Sequence, residues 1–253
     1  MELLMPEGFE DPAVGYGYTT TVFEQVASGE RPAVFSISPS TRHLGVTRRD
    51  THRPGFDEAV RAANQEGYPV LVRGAGGGAI AGGPGTFGFS IIRPPREGED
   101  LRFGIRERYD EAASIALAAF ARLGVRAEVG EVSEEFCPGD QSVRVGGFET
   151  GMKLSGIAGR VTRRAASVGG IVLVSGEKEL ARILGLVYGA MDLPFRPESV
   201  GSLQRAGSTA GLQEAMEAFA AEAEERYGAT RVPLDEQTLK KAHQVGQDAL
   251  TVP

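Results

Sequence analysis

The chain has 253 residues and 26.8 kDa, with 35 glycines, 14 prolines, one cysteine and no tryptophan. Hydrophobic residues at 41% and charged residues at 24% are ordinary for a globular protein, so the glycine excess marks neither disorder nor a collagen-like repeat. One cysteine excludes an internal disulfide and a multi-cysteine zinc site, three scattered histidines (His43, His52, His243) argue against a metal cluster, and a net charge of -7 argues against nonspecific nucleic-acid binding.

Met1 to Glu10 carries acidic residues and no basic ones, and no run approaches the ~18 apolar residues of a membrane span. The expected setting is reducing and cytoplasmic, with no membrane partner. Val22, Phe23 and Val26 predict a helix over Thr19 to Ser28 that stops at Gly29. Val34 to Ile37 and His43 to Val46 read as strands around a Ser38-Pro39-Ser40 turn. A helix follows Pro54-Gly55 and closes at Gly67, and Tyr68 to Val72 is β-like. Eight glycines then crowd Leu71 to Ser90, leading into a strand over Phe87 to Ile92.

The strongest helix runs from Glu107 to Leu123, where Tyr109, Ala113, Ala116, Phe120 and Leu123 form one apolar stripe ahead of Gly124. Residues 125–129, 142–145, 153–160 and 170–174 are short and β-like. Residues 179–191, 211–227 and 235–250 are helical, with Leu212, Met216, Phe219 and Ala223 turned to the core. Strands interleaved irregularly with helices, ending in helices, make the chain α+β. Two parts are expected: a catalytic domain over 1–195, and a helical extension over 196–253 packed on the same core.

Gly74-Ala75-Gly76-Gly77-Gly78-Ala79 satisfies the dinucleotide fingerprint, but Gly82, Gly83, Pro84 and Gly85 oppose the helix that this motif must open. A phosphate loop fails as well, because no Gly-Lys-Ser/Thr follows and no lysine precedes Met152. What remains is a glycine-lined hairpin connection whose bare backbone leaves room for a ligand chain.

Cys137 precedes Pro138-Gly139, which suits the centre of a type II turn with an extended residue before it. A lone cysteine is usually a small buried hydrophobe. Lys153 lies in Gly-Met-Lys-Leu-Ser-Gly-Ile-Ala-Gly159, where strand alternation puts Lys153 and Ser155 on one face. A thiol, an ammonium and a glycine-lined groove suggest acyl chemistry: the ammonium favours the thiolate and stabilises a carbonyl oxygen as it gains charge.

Arg73-Gly-Ala-Gly-Gly-Gly-Ala-Ile80 resembles the first signature of the lipoate-protein ligase, octanoyltransferase and biotin-ligase superfamily, and Lys153-Leu-Ser-Gly-Ile-Ala-Gly-Arg160 resembles its lysine signature. The resemblance covers about residues 15 to 225. It implies a mostly antiparallel mixed sheet flanked by helices. It also implies acyl-group contacts from Arg73, Gly76, Gly77, Gly78, Ala79, Ser155, Gly156, Ile157 and Ala158. The Cys-Pro-Gly ahead of the lysine is similar to amidotransferases that take octanoyl groups from the glycine cleavage H protein, which makes Cys137 the expected nucleophile and Lys153 its partner.

The expected function is transfer of an octanoyl or lipoyl group, as substrate and without a resident cofactor or metal, to lipoyl domains of 2-oxoacid dehydrogenases. Arg160, Arg163 and Arg164 are candidate docking residues for the acidic carrier. Transfer from acyl carrier protein, ATP-dependent lipoate ligation and non-catalytic lipoyl-domain binding are the alternatives. Ala81, Gly82 and Gly83 stand where many ligases have a His-Asp pair, and Ala75 where they commonly carry a hydroxyl, which weakens the ATP-dependent route.

Overall fold

The computed structural model describes residues 1–95, 99 and 103–249. Its elements in chain order are β1 (Glu2–Leu4), α1 (Pro12–Ser28), β2 (Val34–Pro39), β3 (His43–Val46), α2 (Phe56–Gln65), β4 (Val70–Val72), β5 (Ile80–Gly82), β6 (Thr86–Arg93) and α3 (Ile105–Arg122). They continue as β7 (Glu128–Val129), β8 (Ser142–Val145), β9 (Met152–Val161), β10 (Ala166–Leu173), α4 (Glu177–Ala190), α5 (Leu212–Tyr227), β11 (Thr230–Val232) and α6 (Glu236–Gly246).

The apolar stripe of α3 is buried at Ala113, Ala116 and Phe120 and half-buried at Tyr109 and Leu123. Helix α1 begins well before Thr19. The Asp11 side chain accepts from the Ala13 N–H at 2.8 Å, and Pro12 occupies the first turn, a strong start signal. Gly15 and Gly17 hid that start because glycine weakens helical propensity. Gly17 has a packing reason: a Cβ there would collide with the backbone carbonyl of Ala242, where α6 crosses α1.

Eight strands form one sheet in the order β11-β1-β2-β6-β10-β9-β8-β7. β1 runs parallel to β2 and β11, and every other neighbouring pair is antiparallel, so the sheet is mixed and mostly antiparallel, as expected. β1 and β11 are three residues each, too short to announce themselves by periodicity.

A second sheet has the order β4-β3-β5, and it changes two expectations. The Ser38-Pro39-Ser40 segment joins strands of different sheets, not a paired hairpin. The glycine segment is not a hairpin connection either, because β3 lies between β4 and β5. β3 and β4 are parallel, a pairing that requires a crossover, and α2 supplies it.

Residues paired across neighbouring strands share a face, so register shows what each face of the large sheet carries. One face presents Phe35, Ile37, Phe87, Phe89, Val168 and Val172 and packs on α3 and α5. There Phe219 of α5 meets Phe87, Phe89 and Phe120 at ring-centroid distances of 5.1, 4.8 and 5.9 Å. The opposite face presents Ser36, Ser38, Gly88, Ser90, Gly169, Ala158 and Gly156 across four adjacent strands. Helix α1 lies over that face, and α6 packs on α1. Side chains this small cannot fill the space beneath a helix. Among the described residues, no helix is long and apolar enough to cross a membrane.

Candidate active site

The unfilled space is an apolar cavity of about 280 Å³. Gly88, Ser90, Gly156, Ala158 and Gly169 contribute from the sheet, and Tyr16, Thr20 and Phe23 from α1. Arg73, Cys137 and Lys153 also line it. The volume lies just under the ~300–1,000 Å³ usual for small-molecule pockets, a scale suited to a slender apolar group.

Cys137 is half-buried, and its sulfur has two donors: the Gly78 N–H at 3.2 Å and the Arg73 guanidinium at 3.4 Å. Arg73 also donates to the Gly78 carbonyl at 2.7 Å, tying the glycine segment to the same point. Two donors aimed at one sulfur fix the position of the thiol at the cavity wall. Gly77 has φ 107, and a Cβ there would lie 2.5 Å from the sulfur. Glycine at 77 is therefore needed both for the backbone and for the thiol.

The backbone of Cys137 departs from expectation. Its φ is 44, left-handed rather than extended, and Gly139 is not left-handed, so no type II turn forms over Pro138-Gly139. Glu134 is left-handed too, at φ 54. Such conformations cost of order 1–3 kcal/mol each in a residue with a side chain and persist only where neighbours impose them. Here the neighbours are specific. The Cys137 N–H donates to the Tyr188 hydroxyl at 2.6 Å, and its carbonyl accepts from Lys153 Nζ at 2.8 Å. Burial pushes the Tyr188 phenol well above its ordinary pKa, so it keeps its proton and donates it to the Ala79 carbonyl at 3.0 Å. One side chain of α4 thereby bolts the cysteine loop to the glycine segment.

Lys153 is 1% exposed and donates to Glu135 Oε1 (3.3 Å), the Phe136 carbonyl (2.9 Å) and the Cys137 carbonyl. Its ammonium also stands 4.7 Å from the Phe136 ring centroid. Gly156 makes the space for it, since a Cβ there would come within 2.8 Å of Lys153 Cε. The expected pairing of Lys153 with the thiol is thus indirect: the lysine grips the backbone of Cys137, and the cation at the sulfur is Arg73.

The remaining expected residues separate into groups. Gly156, Ile157 and Ala158 line the cavity, whereas Gly76 to Ala79 do not, and Gly77 and Gly78 close around the sulfur instead. Ser155 is fully buried, outside the lining, and its hydroxyl has no hydrogen-bond partner among the described residues. The β8–β9 register shifts between Val143 and Arg144, so Lys153 escapes the alternation that turns Ser155 to the core. Arg160 lines the cavity, pairs with Glu24 at 3.1 Å and stacks 4.2 Å over the Phe23 ring, while Arg163 and Arg164 are exposed beyond it.

Sequence reasoning missed Glu135, Tyr188, Tyr16 and His43. Tyr16 and His43 line the cavity with ring centroids 5.3 Å apart, in an edge contact. Burial raises the Tyr16 pKa to about 12 and lowers that of His43, so both are neutral near pH 7 and suit an apolar occupant. Among the described residues, no group of three or more His, Cys, Asp or Glu side chains could hold a metal ion.

Comparison with known proteins agrees with this architecture. The chain is 32% identical over 153 residues to the octanoyl-[GcvH]:protein N-octanoyltransferase of Geobacillus kaustophilus (strain HTA426), a match covering 60% of this chain and 51% of that protein. It is 26% identical over 159 residues to the enzyme of the same name from Bacillus velezensis, covering 62% and 53%. The chain thus spans about half the length of the curated relatives it matches. Its fold is that of the crystal structure of lipoate-protein ligase A bound with ATP, with a TM-score of 0.76 at 16% identity, covering 97% of this chain and 94% of that one. The family model described as lipoyl protein ligase A/B catalytic domain matches residues 11–224, and the chain belongs to that family.

Proposed function

We propose that this protein is an acyltransferase that moves an octanoyl or lipoyl group through a thioester on Cys137. The donor is the modified lysine of the glycine cleavage H protein, and the acceptor is a lysine of a lipoyl domain. One observation carries the reading: a cysteine sulfur held by the Gly78 N–H and Arg73 at the wall of an apolar cavity of acyl-chain scale. The names of the Geobacillus and Bacillus relatives support the donor.

In the first half-reaction the Cys137 thiolate attacks the carbonyl carbon of the donor amide while the acyl tail occupies the cavity. Lys153 supplies positive charge beside the Cys137 backbone, where the developing oxyanion is stabilised. The C–N bond breaks, the donor lysine leaves as an amine after taking up a proton, and the thioester remains. In the second half-reaction the acceptor amine attacks that thioester, loses its proton, and the C–S bond breaks to restore the thiolate. Amide is exchanged for amide, so no ATP and no cofactor is required. The exposed Arg163 and Arg164, next to Arg160 at the cavity, form the positive surface on which an acidic carrier docks.

The test is mass spectrometry after incubation with octanoylated H protein, then with a lipoyl-domain acceptor. An octanoyl adduct on Cys137 that passes to the acceptor is expected. No adduct, or full transfer by Cys137→Ser, overturns the proposal. Pyrophosphate release from free lipoate and ATP would mark a ligase instead.

A further inference from the structure

We propose that Glu135 is the positioning residue of the cysteine loop, and that it frees Lys153 to leave the loop for the acyl carbonyl. The second clause rests on the acyl-transfer reading above; the first does not.

The Glu135 side chain is fully buried, two residues before the thiol, and lies inside the loop it organises. Oε1 accepts from the Gly139 N–H (3.2 Å), the Ser142 hydroxyl (2.5 Å) and Lys153 Nζ (3.3 Å), while Oε2 accepts from the Val132 N–H (3.2 Å). Those partners flank Cys137 on both sides, from residue 132 to residue 142. A buried carboxylate is costly unless its lone pairs are met, and here the loop itself meets them. The carboxylate therefore acts as a template around which the segment folds, and together with Tyr188 and Lys153 it holds the loop that contains the left-handed residues Glu134 and Cys137.

The lysine side of the arrangement explains why an acid is needed. An ammonium has three N–H donors, and those of Lys153 are all engaged, by Glu135 and by the carbonyls of Phe136 and Cys137. A substrate carbonyl can take one only by displacing a resident acceptor. The Glu135 contact is the longest of the three. When it opens, the carboxylate keeps the Ser142 hydroxyl and two amides, so neither partner is stranded. A neutral loop held only by Lys153 would lose its order in the same exchange. Glu135 decouples the two tasks: the loop stays folded while the ammonium turns to the acyl oxygen.

The experiment compares wild type with Glu135→Gln, using thermal denaturation, steady-state transfer from octanoylated H protein, iodoacetamide alkylation of Cys137, and amide hydrogen exchange at Val132 and Gly139. The amide side chain keeps the size but offers one acceptor oxygen and presents N–H groups to donors. With the fold intact, kcat is expected to fall about 10- to 100-fold, as for loss of a charge-assisted hydrogen bond, with KM little changed. Exchange at the two amides is expected to quicken, while alkylation stays near the wild-type rate because Arg73 and Gly78 still hold the sulfur.

Wild-type kcat in folded Glu135→Gln, or a loss no larger than the fall in folded fraction, overturns the proposal. If Glu135→Gln does not fold, Ser142→Ala removes the shortest bond to the carboxylate; a smaller loss in kcat with faster Gly139 exchange supports the role, and no change in either overturns it. If wild type loads no octanoyl group, the acyl-transfer reading fails. The exchange measurements then decide the loop role alone, with unchanged exchange overturning it.

Discussion

Lys153 meets Cys137 at its carbonyl oxygen, 2.8 Å away, while the sulfur of the same residue takes its donors from Arg73 and Gly78. The lysine is therefore part of the fold around the cysteine. Lys153→Ala removes the cation beside the buried Glu135 carboxylate and the donor to the Phe136 and Cys137 carbonyls together, a loss of about 3–5 kcal/mol. In a chain of this size that lowers Tm by roughly 10 °C. Cys137→Ser keeps every backbone contact of the loop and is expected to abolish the acyl adduct with Tm nearly unchanged. Paired melting curves and adduct measurements check the contrast; equal Tm for both variants would show that the lysine does not hold the loop.

The cavity exists because the sheet face beneath α1 is built from small residues, so its length is open to adjustment from the floor. A Cβ at Gly88 would find its nearest neighbour, the Gly170 carbonyl oxygen, at 4.0 Å, which directs a larger side chain into open space. Gly88→Val adds a residue that strands favour and displaces about two methylenes of ligand. At about 0.8 kcal/mol per methylene the octanoyl preference over a butanoyl donor should drop about tenfold. Competition between the two donors measures this ratio, and an unchanged ratio with a normal Tm would place the acyl tail elsewhere.

His43 is a buried titratable side chain of the cavity lining, and burial lowers its pKa from the ordinary 6.5. The unfolded chain therefore binds a proton at a pH where the folded chain does not, and stability rises with pH across that interval. The contribution is complete above the unfolded value and is lost as pH falls toward the lowered one. His43→Phe should flatten the part of the Tm–pH curve below about pH 6.5 that this group supplies. Identical slopes for wild type and variant from pH 5 to pH 7 would contradict that assignment.

Much of the architecture was legible in the residue order because local rules control it. The α3 stripe, the closure of α1 at Gly29 and the Ser142–Val145 strand follow from periodicity and stop signals that act over a few residues. Signals failed where long-range packing overrode propensity. Glycines 15 and 17 sit inside α1, where α6 packs against it, and β1 and β11 are held by pairing with distant strands. Arg73 of the first signature, Lys153 of the second and Cys137 between them all line one cavity, a convergence that residue order alone does not give.

Residue order determined that a thiol, an arginine, an ammonium and a glycine-rich segment belong to one chain with a sheet and flanking helices. Tertiary structure decided which of them touch. Arg73 and Cys137 are 64 positions apart and Cys137 and Tyr188 are 51 apart, distances in sequence over which no periodicity carries information. The glycine excess shows the same division. Gly77 and Gly78 close on the sulfur, and Gly88, Gly156 and Gly169 open the cavity, a distinction that appears only once strand register puts one on the thiol and the other on the floor. Strand alternation assigned Ser155 to the lysine, but the register shift in β9 gave it to the core. Contact chemistry depends on direction as well as on order, and direction is fixed by packing.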